Sequence, residues 1–71
     1  MMKIDKIREE INLFGIDDVS AETDDETKAK IAELTRNLAW DTILSLEEEK
    51  INKEALENII HEAYLDALFS I

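Results

Sequence analysis

His61 is the only histidine in the 71-residue chain, so it is the first place to look for chemistry. A zincin helix needs a second histidine four residues on, and Leu65 stands there. A di-iron helix needs a glutamate three residues before the histidine, and Asn58 stands there. Glu57 shares a helix face with His61 at i, i+4 and would hold a divalent ion only weakly. The pair reads as a solvated histidine beside a carboxylate. Asp17-Asp18 and Asp24-Asp25 are out of register for a calcium loop, which needs alternating acids, a central glycine and a terminal glutamate. Ser20, Ser45 and Ser70 have no glycine-rich elbow around them, and cysteine is absent. Gly15 is the only glycine and cannot form a phosphate-cradling loop. The expectation is a protein without catalytic residues, metal ligands or cofactor, and not an enzyme.

Binding is the remaining class of function. Asp and Glu number 18 against 8 Lys and Arg, for a net charge of −10. Such a chain repels phosphate backbones, and its last third offers only Lys53 as a base inside a helical pattern, so direct nucleic-acid binding is not expected. Six acids and no base fall between residues 17 and 26. The candidate acidic surface is Asp17, Asp18, Glu22, Asp24, Asp25, Glu47, Glu48 and Glu49. It reads either as a solubilising coat or as a surface that docks on a basic partner. No apolar run approaches a membrane span, and the first residues alternate charge with apolar side chains, unlike a secretory signal. A cytoplasmic protein is the expectation.

The elements that must position these residues are helices. One glycine, no proline and a single valine leave no material for a sheet, and 45% apolar residues suffice for a core. The spacing predicts one small acidic helical domain over residues 1–71, an all-α three-helix bundle with helices at about 3–14, 24–48 and 53–69. Ile4, Ile7, Ile11 and Phe14 make the stripe of the first helix. Gly15 is expected to end it in a left-handed conformation, with Ile16 folding back onto Ile11. Thr23 and Glu26 match a capping box for the second helix. Asn52 is the expected N-cap of the third, with Ile51 stapled against Leu56. One continuous bent helix over the last two segments is the alternative.

The apolar faces suggest where a partner would sit. From Leu38 to Leu46 the large apolar side chains spread over roughly 240° of the helical wheel, more than one neighbouring helix covers. Leu13, Leu65 and Phe69 fall off the main faces of their own helices. Trp40, Leu44, Leu65, Phe69 and Leu13 are therefore the candidate partner-binding residues. Domains of this size without disulfides or metals often gain stability by association. The leading expectation is a small acidic regulator or inhibitor that binds a basic protein. A second is an obligate helical homodimer with a structural role. A third is a nucleic-acid mimic whose carboxylates make the contacts. Antitoxins and phage-encoded inhibitors share this short, acidic, helical composition, a likeness that carries over no residue.

Overall fold

The structure, a computed structural model, describes residues 3–47 and 50–70. Helix α1 spans Ile4–Asn12, α2 spans Asp25–Leu44 and α3 spans Lys53–Ser70. A single 3-10 turn, Ile16–Asp18, lies between α1 and α2, and the described residues contain no strand. The chain is a three-helix bundle with extents of 38 × 19 × 16 Å. Its long axis matches the roughly 30 Å rise of the 20-residue α2 plus its flanking connections.

Two apolar clusters fix how the helices run. Ile7 and Ile11 of α1 pack with Ala39 and Ile43 of α2 and with Ile51, Leu56 and Ala63. At the other end, Ile31 and Ala32 pack with Ala67 and with Val19 from the α1–α2 connection. The early part of α3 therefore lies beside the late part of α2, an antiparallel hairpin, and α1 lies across it. Thr35 is the one fully buried polar residue among those described, and its hydroxyl donates to the Ile31 carbonyl at 2.7 Å. That internal bond lets a polar side chain sit in the core without an unmet donor.

The start of α3 follows from local chemistry. Asn52 Oδ1 accepts from the Ala55 N–H at 2.7 Å, and the Asn52 carbonyl accepts from the Leu56 N–H at 2.9 Å. Ile51 and Leu56 are both buried in the same cluster, as a hydrophobic staple requires. The chain is non-helical at 45–47 and at 51–52, so α2 and α3 are separate helices.

Three boundaries differ from the sequence reading. The N-cap of α2 is Asp24, whose Oδ1 accepts from the Thr27 N–H at 2.9 Å. Thr23 lies outside the helix and Glu26 is exposed within its first turn, so no capping box forms there. Adjacent Thr and Asp competed for one role, and the carboxylate is the stronger cap, helped by the positive helix end. The helix ends at Leu44 rather than near residue 48. The Ser45 hydroxyl donates to the Thr42 carbonyl at 2.8 Å, and the Ser45 and Leu46 N–H groups make i→i−3 bonds that tighten the last turn.

Gly15 is the third. Its φ of −137° and ψ of −170° are extended, and an added Cβ would meet nothing closer than 4.0 Å. Helix α1 already ends at Asn12, with Leu13 right-handed, and the Arg36 guanidinium donates to the Phe14 carbonyl at 2.6 Å. A contact from α2 therefore does the work assigned to a left-handed glycine. Ile16 is partly exposed and belongs to neither cluster. Val19 is the buried apolar residue of this connection instead.

Candidate functional site

The wide apolar arc of α2 is divided between two neighbours. Leu38 and Ala39 pack into the bundle, and Trp40 and Ile43 pack in the cluster that holds Ile7 and Ile11 of α1. Trp40 is half-buried, with the Arg8 guanidinium 5.2 Å from its ring centroid. Leu44 and Leu46 are left out of both clusters and exposed.

The remaining apolar candidates do not converge. Phe69 is 90% exposed and Leu65 is 42% exposed. They stand four residues apart on α3, hence neighbours on one face, about 180–220° around the wheel from buried Leu56. Leu13 is 68% exposed just beyond α1, beside a shallow depression formed with Glu10, Phe14, Asp18 and Ile60. Leu44, 65% exposed, lies at the other end of the hairpin from Phe69, about 20 Å along the axis by helical rise. Only Leu65 and Phe69 form a pair.

The acids divide in the same way. Asp17, Asp18, Glu22, Asp24 and Asp25 are exposed at the end where α2 begins and α3 finishes, the end that carries Phe69. Glu47 is exposed at the opposite end and pairs with Lys50 at 3.7 Å. Glu48 and Glu49 lie outside the described residues. Two acids also hold backbone: Asp18 Oδ2 accepts from the Gly15 N–H at 2.8 Å, and Asp24 caps α2. Hydrogen bonds from the side chain and backbone of Thr27, with Lys30 nearby, hold the Asp24 carboxyl below its ordinary range.

Tyr64 ties this acidic connection to α3. Its phenol oxygen accepts from the Ser20 N–H at 3.0 Å and lies 3.1 Å from the Ser20 hydroxyl. The Ser20 hydroxyl, and then the Ser20 and Ala21 backbone, hold the phenol below its usual range despite partial desolvation. The Tyr64 ring also packs on Phe14 with centroids 5.8 Å apart. The exposed His61 and Glu57 line an open depression with Asp18, Ser20 and Tyr64. Among the described residues no three His, Cys, Asp or Glu side chains cluster as a metal site would need.

The charge distribution sets a pH dependence. The folded chain holds its net −10 closer together than the unfolded chain does, so its like charges repel one another more strongly. Stability then falls as pH rises, and acidification from pH 7 to about 5.5 at low salt should raise the melting temperature by a few degrees. Asp24 works oppositely: its folded pKa is lowered, so its contribution is present above the unfolded value and lost as pH falls through the folded one. The melting temperature should therefore turn over below about pH 4. A steady decline from pH 7 to 5.5 would contradict this account.

Comparison with protein-family models, with curated proteins and with solved structures gives no significant match. No helix of the described residues is long and apolar enough to cross a membrane.

Proposed function

We propose that the protein is a non-enzymatic interaction module, a small acidic regulator or inhibitor that binds a basic protein through the outer face of α3. The observation that carries this reading is the Leu65–Phe69 pair, exposed on a helix that holds four carboxylates against one lysine. Glu62 stands three residues before Leu65 and Asp66 three before Phe69, so each apolar side chain has an acid as its helix neighbour. The acids of the α1–α2 connection lie at the same end of the bundle. An apolar anchor supplies affinity to such an interface, and surrounding charge supplies approach rate and choice of partner.

Charge favours a basic protein over a second copy, because a dimer through this face brings two chains of −10 together. The nucleic-acid mimic is disfavoured by the division of the acids between two ends and by the backbone duties of Asp18 and Asp24. Affinity capture from native lysate, with the wild-type chain and the Leu65→Ser/Phe69→Ser variant, tests the reading. Wild type should retain a basic protein that the variant loses while its helicity is unchanged. Part of the interaction should persist at 1 M salt, where screening acts over about 3 Å. A partner held equally by the variant, or a wild-type mass near twice 8.2 kDa in sedimentation, would overturn it.

A further inference from the structure

The chain has only two arginines, Arg8 and Arg36, and one tryptophan. All three line the same cleft between α1 and α2, together with Ile11, Asn12 and Asn37. The cleft has a volume of about 230 Å³. Among the described residues no carboxylate lines it, although acids outnumber bases 18 to 8. The ion pairs among the described residues use Lys6 and Lys50, and neither arginine has a described carboxylate within 4.0 Å. Glu9 is next to Arg8 in sequence and Glu33 is one turn from Arg36, yet neither of these acids pairs with its arginine.

We propose that this cleft binds an oxyanion, the phosphate group of a small phosphorylated molecule. A guanidinium presents a rigid fork of donors that matches phosphate oxygens two at a time. Arg8 is already oriented by stacking over Trp40 at 5.2 Å, so less side-chain freedom is lost on binding. Arg36 commits one N–H to the Phe14 carbonyl and has further donors on the same group. Asn12 and Asn37 add neutral amide donors at the rim. Two positive charges without a neighbouring acid suit a dianion better than a monoanion. The volume lies below the range of a typical pocket for a drug-sized ligand, so the cleft takes the anionic head and leaves the body outside. This site is separate from the α3 face and stands without the docking reading.

Trp40, as the only tryptophan, reports from inside the cleft. Titration with inorganic phosphate should give a saturable change in its emission, acetate a weaker one, and chloride at matched ionic strength none. Amide shifts in an NMR titration should centre on residues 8–12 and 36–40. Arg8→Gln should weaken phosphate binding at least about tenfold, the scale of a lost hydrogen bond to a charged group. Arg36→Gln should do the same, and Lys30→Gln, outside the cleft, should not. If Arg36→Gln unfolds the chain, Arg8→Gln and Asn37→Ala carry the test, since Arg8 is exposed and holds no backbone group. A phosphate response no larger than that of chloride would overturn the proposal, as would undiminished affinity in Arg8→Gln.

Discussion

Ile7→Ala should leave most of the protein unfolded at 25 °C. Ile7 is fully buried and is the first residue of α1 to enter the core, where it shares one cluster with Ile43, Ile51 and Leu56. Truncating a buried isoleucine to alanine costs about 2–5 kcal/mol, because the cavity left behind adds to the lost transfer energy. A single core of this size rarely supplies more than about 3–5 kcal/mol in total. One substitution therefore spends most of the stability available. Far-UV circular dichroism with urea should show a midpoint at or near zero denaturant. Phe69→Ala is the matched comparison: the side chain is almost wholly exposed, and such changes usually stay within about 0.5 kcal/mol. Equal losses from the two variants would mean that Ile7 is not what holds α1 to the hairpin.

What could be read from the residues alone was the chemistry that acts within one turn. Asn52 caps α3 through its own N3 amide, and Ile51 reaches Leu56 across the same turn. Both relations are i, i+3 to i, i+5 and leave a trace in the order of residues. The stripe of α1 is legible for the same reason. The end of α2 is not, because no glycine or proline marks it. It depends on Ser45 competing for a helix carbonyl and on Ile51 reaching the core. Gly15 shows the opposite error. A rule about helix ends assigned it a left-handed role, whereas Arg36, 22 residues from Phe14, takes the carbonyl that matters.

The candidate sites divide along the same line. Leu65 and Phe69 fall opposite Leu56 on a helical wheel, so their exposure follows from period alone. The cleft between α1 and α2 could not be seen that way, since its two arginines lie on different helices. One local sign was present: Arg8 precedes Asn12, and Arg36 precedes Trp40, by one helical turn each. Two short rows with arginine at their heads become a site only when α1 packs on α2. The surroundings of Trp40 are hidden by the same gap. It lies about 180° from Ile31 on the helical wheel, and α1 covers that side.

Trp40→Ala separates packing from partner binding for that reason. The ring is half-buried against the Ile7–Ile43 cluster and carries Arg8 on its face. Full removal of a buried tryptophan costs about 3–5 kcal/mol, and a half-buried one should cost about 2–3 kcal/mol. Loss of the stacked guanidinium contributes about 0.5–1 kcal/mol of that. The urea midpoint should fall sharply in Trp40→Ala and be largely restored in Trp40→Phe, which keeps a ring for the cluster and for Arg8. Leu65→Ser/Phe69→Ser should show the reverse pattern, with stability kept and capture of a basic partner lost. If Trp40 were instead a partner anchor, Trp40→Ala would keep its midpoint within about 0.5 kcal/mol and lose the partner. Trp40→Ala thus differs between the two assignments in both midpoint and capture, and one urea series with one capture assay decides between them.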